Sequence, residues 1–328
     1  MTTPKLSFQP LLDQLEQSFQ GLEYGQNPPE LYEPIRYLMN LGGKRLRPLL
    51  TLLSYRLWEK DYKTVLMPAM AVEVFHNFTL MHDDIMDNAP LRRGKATVHE
   101  HWNTNVAILS GDVMLVKAYE MMLHLPANQL HKALTLFSKC AAEVCEGQQL
   151  DMNFEHKASV SQAEYIEMIR LKTAVLLGFS LELGALAAGA SEQDQIRMRE
   201  FGTLIGIGFQ LTDDLLDVYG DSAKFGKFVG GDIVANKKTF LLLEALNTAD
   251  PTQKQTLTHW LTLQNFEKNE KVAAVTDIYN QLNIKEKTQE KIQFYFDAGF
   301  AALAQVQVAD VAKQELLDFV QWLMGREK

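Results

Sequence analysis

The stretch His76-Asn77-Phe78-Thr79-Leu80-Met81-His82-Asp83-Asp84-Ile85-Met86-Asp87 closes a long apolar run with an acidic cluster, and Phe209-Gln210-Leu211-Thr212-Asp213-Asp214-Leu215-Leu216-Asp217 repeats the arrangement. Runs of this length and apolar spacing read as buried helices. Residues four apart on a helix share a face. Asp83 therefore aligns with Asp87, and Asp213 with Asp217. Carboxylates side by side on an apolar helix repel each other and lose hydration. A hard cation removes both problems, because Mg²⁺ takes one or two carboxylates plus phosphate oxygens and keeps its remaining waters. Two such ledges suit a metal–diphosphate cluster.

Working outward, strand signals are nearly absent, and stretches rich in Ala, Leu, Met, Glu, Gln and Lys carry helical periodicity. Helices are expected over Leu11–Leu22, Leu31–Asn40 and Pro48–Trp58. A further helix starts at Pro68, crosses the first acidic motif and ends before Pro90, since proline suits a first turn and not a helix interior. Val106–Leu123, Gln129–Leu150 and Ala163–Ala188 follow. Ser191 with Asp194 reads as a capping box opening the helix of the second motif, which stops near Gly220. Gly202, Gly206 and Gly208 within it mark either close helix crossings or room for a ligand. Asp221–Asn236 is a glycine-bearing loop, and Pro251–Lys328 is again helical. The expected fold is all-α, a large helical bundle in one domain over residues 1–328, with a central active-site cavity.

The chain has 328 residues and is 47% hydrophobic, which provides for a large core. No linker or low-complexity tract divides it. The net charge of −9, without an extended basic stripe, argues against nucleic acid. The two cysteines, Cys140 and Cys145, form no CxxC pair and read as buried reduced thiols. Residues 1–20 lack the apolar core of a signal peptide. No apolar run is long enough to suggest a transmembrane segment. A cytoplasmic protein is expected.

Basic residues cluster beside the acidic motifs and glycines: Lys44, Arg45 and Arg47; Arg92, Arg93 and Lys95; Lys224, Lys227, Lys237 and Lys238. Each could be a solvated loop, but three beside two metal ledges point to a polyanionic ligand. Arginine forks suit phosphate oxygens. Adjacent arginines diverge, so Arg92 and Arg93 can serve different phosphates. Gly42-Gly43-Lys44-Arg45-Leu46-Arg47 offers backbone amides and cations to an anion that arrives without metal. His76 lies two turns before Asp83 on nearly the same face, as either a structural or a functional imidazole. Phe78, five residues before Asp83, lies ~7.5 Å down the helix axis. Gln210 stands beside the second ledge. Lys172-Thr173 sits mid-helix in apolar surroundings.

Taken together, these residues resemble the trans-isoprenyl diphosphate synthase (polyprenyl synthetase) family. The resemblance rests on GGKRLRP (42–48), HNFTLMHDDIMD (76–87), LRRGK (91–95), GQQLD (147–151), KT (172–173), FQLTDDLLD (209–217), FGKFVGGDI and NKKT (within 225–239), in family order. It implies a short-chain trans-prenyltransferase that condenses isopentenyl diphosphate with an allylic diphosphate. It implies Mg²⁺, three ions per site, held by Asp83, Asp87 and Asp213, with Asp84, Asp214 and Asp217 in support. Arg92, Lys172, Lys227 and Lys237 resemble the allylic diphosphate contacts. Lys44, Arg47, His76 and Arg93 resemble the isopentenyl diphosphate contacts. Thr173 and Gln210 resemble groups that place oxygen dipoles near the allylic cation.

Phe78, with small Thr79 beside it, resembles the chain-length floor of short-product members, so a C20 product is expected first and C15 next. Arg326 and Lys328 could close over the second diphosphate. A homodimer is implied. The alternatives are a class I terpene cyclase, a metal phosphohydrolase of the His-Asp type built on His82-Asp83, and a non-catalytic subunit. The first leaves GGKRLRP without purpose, the second ignores the Asp213 motif, and the third is at odds with two intact acidic motifs.

Overall fold

The computed structural model describes residues 6–220 and 229–325. Lys224, Lys227, Arg326 and Lys328 lie outside these, so the roles expected of them carry no structural account. Among the described residues the regular structure is helical apart from one hairpin, β1 (Leu91–Arg92) paired antiparallel with β2 (Lys95–Ala96). The expected all-α class holds. The chain forms two compact units, one drawn from Met1–Cys140, Phe179–Arg199 and Gln305–Trp322, the other from Ala141–Gly178, Glu200–Ala304 and Leu323–Lys328.

The first unit is built on α1 (Gln9–Gln20), α2 (Pro29–Asn40), α3 (Leu46–Tyr55), α4 (Lys63–Met86), the hairpin, α5 (Val98–His101) and α6 (Thr104–Met122). The opening part of α7 (Ala127–His156) joins them. Helix α4 is buried all round: Val65, Ala69, Met70, Val72, Val74, Phe75, Phe78 and Met81 all lie in the core. Such a helix is stabilised mainly by apolar burial, about 1.5–3 kcal/mol per large side chain. It begins five residues before Pro68, which sits inside it. Full burial of Val65 holds the extra turn despite the backbone bond that proline cannot donate.

Helix α4 also meets the length and hydropathy of a membrane span, contrary to expectation. However, 67% of that window is buried within the protein, as in an ordinary core helix. The thiols differ from expectation as well: Cys140 is buried and Cys145 is exposed.

In the second unit, α8 (Gln162–Ile169) opens on a complete Ser161/Glu164 capping box. The expected unbroken helix Ala163–Ala188 is instead interrupted by a π-helical turn, Arg170–Ala174, before α9 (Val175–Ala187), which passes into the first unit at Phe179. Two glycines account for where this wide turn packs. A Cβ at Gly147 of α7 would lie 2.2 Å from the Lys172 nitrogen, and one at Gly206 would lie 2.7 Å from the Ala174 Cα. Backbone presses on backbone at both points. A Cβ at Gly208 would likewise lie 3.3 Å from the Phe296 ring. Gly206 and Gly208 therefore serve close crossings.

Helix α10 (Glu192–Tyr219) starts in the first unit, enters the second at Glu200 and there carries the second acidic motif. At its start the Asp194 amide donates to Ser191 Oγ at 3.1 Å. The Ser191 hydroxyl donates to Asp194 Oδ2 rather than the Ser191 amide, and Asp194 Oδ1 accepts from the Gln307 amide. The expected capping box is half formed because Asp194 is committed elsewhere. Beyond the motif, Gly230 takes a positive φ of 85° and leads into a short helix, α11 (Gly231–Val234). Four helices complete the unit: α12 (Phe240–Thr248), α13 (Pro251–Thr262), α14 (Lys268–Gln281) and α15 (Ile284–Ala304). Helix α16 (Asp310–Met324) follows, mostly in the first unit.

Candidate functional site

In the first unit the acidic motif ends α4 and the arginine pair forms the hairpin that follows. Asp83 is partly exposed and Asp87 exposed, whereas Asp84 is 2% exposed. Asp84 accepts a bidentate pair from Arg92, Nε to Oδ2 at 2.8 Å and Nη2 to Oδ1 at 2.7 Å. Arg92 Nη2 also lies 3.8 Å from Asp83 Oδ2. Charge-assisted fork contacts of this kind orient as well as attract. The hairpin turn has positive φ at Arg93 (53°) and Gly94 (74°), the pattern of a tight type I′ turn. It sends the two arginines apart: the Arg93 guanidinium lies 3.0–3.3 Å from where a Cβ of Gly43 would stand. Arg93 thus reaches the loop that precedes α3.

That loop divides its cations. Arg45, with a positive φ of 47°, is 3% exposed. Its guanidinium contacts Glu73 at 3.4 Å, Glu16 at 3.2 Å and the Met39 carbonyl at 3.0 Å, and it sits over the Phe19 ring. It is committed to the fold. Lys44 is exposed. Arg47 is partly buried, and its Nε has no hydrogen-bond acceptor. Burial pulls the Arg47 guanidinium below its ordinary range, against the opposing pull of Glu73 and Cys140. Burial does the same to Arg93.

His76 is held well below the usual imidazole range, first by burial and then by Arg47, Arg92, Arg93 and Arg45. It is therefore a neutral ring among cations. Phe78 is buried against Phe75 and the edge of His82, at centroid distances of 5.6 and 4.8 Å. The Thr79 hydroxyl donates to the His76 carbonyl at 2.7 Å. His82 has a packing role. It lies 3.2 Å from the Ile108 carbonyl, over Gly111, where a Cβ would collide with its ring. The first unit thus gathers Lys44, Arg47, His76, Asp83, Asp84, Asp87, Arg92 and Arg93.

The second unit gathers the remaining described candidates. Asp213 is exposed, and Asp214 is 5% exposed. Asp214 accepts from the Tyr165 hydroxyl on Oδ2 and from Gln210 Nε2 on Oδ1, the latter at 3.1 Å. Burial pushes the Asp214 carboxyl up to about 7, with Tyr165 and Gln210 opposing and Asp232 reinforcing. Thr173 Oγ1, in the π-helical turn, donates to Gln210 Oε1 at 3.2 Å. Lys172 Nζ lies 2.6 Å from Asp151 Oδ2. Asp217 Oδ2 accepts the Asp232 amide at 2.9 Å. Lys237 is exposed, 3.8 Å from Asp232. Lys238 leaves this cluster, because its amine donates to the Phe154 and Glu155 carbonyls near the end of α7.

The two motifs share one design. The first aspartate meets solvent, while the second is buried and held by donors. Among the described residues no group of three or more His, Cys, Asp or Glu side chains forms a closed metal centre. Oxygen donors one turn apart at Asp83 and Asp87 in the first unit fit a hard cation that completes its shell with phosphate oxygens and water, and in the second unit the exposed Asp213 is a donor of the same kind. Asp151 and Asp232 fall in motifs already quoted but without an expected role, and Tyr165 was not singled out. GQQLD contained Asp151, but no spacing rule links it to Lys172. Tyr165 resembled any apolar helix residue.

Known proteins resemble this chain over most of its length. Residues 28–279 match the polyprenyl synthetase family. The chain is 42% identical over 256 residues to the short chain isoprenyl diphosphate synthase of Methanocaldococcus jannaschii, covering 78% of each protein. It is 36% identical over 304 residues to the geranylgeranyl diphosphate synthase of Saccharolobus solfataricus, covering 91% of each. A crystal structure of a geranylgeranyl pyrophosphate synthase superposes with a TM-score of 0.93 at 40% identity, over 99% of this chain and 100% of that one.

Proposed function

The chain belongs to the polyprenyl synthetase family, and from that premise we propose that it is a short-chain trans-prenyltransferase joining isopentenyl diphosphate to an allylic diphosphate. The observation that carries this reading is the paired design of the acidic motifs, each with a solvent-facing aspartate ahead of a buried, donor-held one. The family match runs through both compact units, which supports one catalytic domain over residues 1–328. A terpene cyclase is not favoured, because Gly43, Lys44, Arg47 and Arg93 would then serve no second diphosphate. A non-catalytic subunit is not favoured either, with both acidic motifs intact.

Mg²⁺ bound at Asp83, Asp87 and Asp213, three ions in all, would neutralise the departing diphosphate. The protein's own part is electrostatic and positional. Arg92, oriented by Asp84, and Lys172, oriented by Asp151, hold the allylic diphosphate, with Lys237 and Lys227 adding charge. As the allylic carbon–oxygen bond breaks, its electron pair stays with the diphosphate oxygen. Thr173 and Gln210 present oxygen dipoles to the allylic cation. Lys44, Arg47, Arg93 and neutral His76 hold isopentenyl diphosphate, whose double bond attacks the cation. The adduct then loses a proton to the released diphosphate, forming the new double bond.

Incubation with labelled isopentenyl diphosphate, Mg²⁺ and a dimethylallyl, geranyl or farnesyl diphosphate primer tests this. A lengthened prenyl diphosphate is expected, and failure to consume isopentenyl diphosphate rejects the reading. Phe78, about 7.5 Å below Asp83 on α4, is the proposed floor for the growing chain. Wild type should stop mainly at C20, and Phe78→Ala should shift the product distribution by one or more C5 units in chromatography. An unchanged distribution means the floor lies elsewhere.

A second copy of the chain is the proposed partner. Leu109 and Val116 on α6 and Leu123 at its C-cap are 58%, 56% and 57% exposed at seven-residue spacing, with Ile108 beside them. An apolar stripe of this kind marks an interface. Light scattering should give twice the 37.2 kDa chain mass. Leu109→Glu combined with Val116→Glu should halve it; a dimer that survives this pair of charges uses another face.

A further inference from the structure

We propose that Tyr165 is a positioning residue for catalysis, setting the direction of the Thr173–Gln210 dipole. This rests on the reading that an allylic diphosphate ionises beside these two side chains.

Tyr165 is 3% exposed on α8. Its hydroxyl occupies Asp214 Oδ2, leaving Oδ1 to Gln210 Nε2. The Asp214 oxygen that faces Gln210 accepts, so it takes the amide nitrogen and not the amide oxygen. With that nitrogen committed, Gln210 must turn its carbonyl oxygen the other way, where the Thr173 hydroxyl donates to it. The donors run in one order: Tyr165 to Asp214, Gln210 to Asp214, Thr173 to Gln210. Reversing the Gln210 amide would set its oxygen against a carboxylate oxygen. Loss of the phenol hydroxyl would free the Asp214 carboxylate to rotate and the Gln210 amide to follow it.

The π-helical turn completes the arrangement. In an unbroken helix Thr173, eight residues after Tyr165, would lie about 80° away around the axis. A turn widened by one residue restores the spacing of seven, bringing the two to within about 20° of one face. The interruption at Arg170–Ala174 therefore places both ends of the hydrogen-bond chain on the side facing α10, where Asp214 and Gln210 stand. Gly206 permits the approach, because any side chain there would strike Ala174.

The test is kinetic, on the full-length protein. Tyr165→Phe keeps the ring and removes only the donor. It should lower kcat about 30-fold while leaving KM for both substrates within about twofold, because the affected dipole acts on the developing cation. Thr173→Val, at the far end of the chain, should show the same split. The double variant should lose little more than either single, since the groups act as one unit. Multiplied losses would make the Tyr165 hydroxyl a packing group only and overturn the proposal, as would wild-type kcat in Tyr165→Phe. Should Tyr165→Phe not fold, wild-type kcat in Thr173→Val overturns it equally. Absence of any condensation by the wild-type protein would instead reject the underlying functional reading.

Discussion

Asp83→Ala should lower kcat by about 10³-fold, the cost of losing a preorganised ligand at the point where charge develops. The side chain is only partly buried, and α4 is held by Val72, Phe75, Phe78 and Met81 rather than by this carboxylate. The melting temperature should therefore stay within a few degrees of wild type. Arg92 keeps its bidentate hold on Asp84, so binding of the allylic diphosphate should weaken much less than turnover. Raising the Mg²⁺ concentration should recover only part of the loss, because Asp87 remains. Steady-state kinetics across a Mg²⁺ titration, with a melting curve for each variant, measures all of this. A kcat within tenfold of wild type would remove Asp83 from the reaction. Asp84→Ala should behave differently. It leaves a partly buried guanidinium without its partner, so it should lower stability as well as rate.

Gly147→Val should be the most damaging change outside the acidic motifs. The added Cβ would lie 2.2 Å from the Lys172 nitrogen and 2.7 Å from the Leu171 carbonyl carbon. The obstruction is main chain, so it cannot rotate away as a side chain would. Overpacking of this kind costs about 1–3 kcal/mol. Relief requires the turn at Arg170–Ala174 to move outward, carrying Lys172 away from Asp151 and Thr173 away from Gln210. A displacement of about 1 Å in a positioned group can cost about 10² in rate. Both a lowered melting temperature and a loss of kcat near that size are expected. Gly147→Ala should show a weaker form of each. A Gly147→Val protein with wild-type melting and turnover would show that the close approach carries no functional geometry.

The helices of the acidic motifs were legible because their signal is dense. Apolar residues surround α4 and most of α10, and carboxylates at positions one and five share a face wherever the helix runs. The divergence of Arg92 and Arg93 was legible as an outcome, but its cause, the left-handed turn at Arg93-Gly94, was not. Pro68 misled because a local rule about proline met a tertiary gain, the burial of Val65. Arg45 could not be separated from Lys44 and Arg47 in sequence. Its positive φ and its partners Glu16 and Glu73 come from other helices, at separations no local pattern encodes. The wide turn at Lys172 was hidden for the same reason. Its causes, Gly147 and Gly206, lie on two other helices, and each glycine looks ordinary in its own stretch. Tyr165 and Asp151 likewise take their meaning only from Asp214 and Lys172.

The alternation between a solvent-facing and a buried aspartate has a consequence for how these motifs tolerate insertions. Each residue advances the helix by roughly 100°. One extra residue between Phe78 and Asp83 would carry the acidic cluster out of phase with the floor beneath it. The position now matched to the Arg92 fork would be taken by the outward-facing carboxylate, and its neighbour would be turned away. No point substitution does both at once. Length changes in α4 should therefore be lethal in steps of one or two, and bearable only in steps close to whole turns, which would lift the ledge away from Phe78 and leave its aim intact.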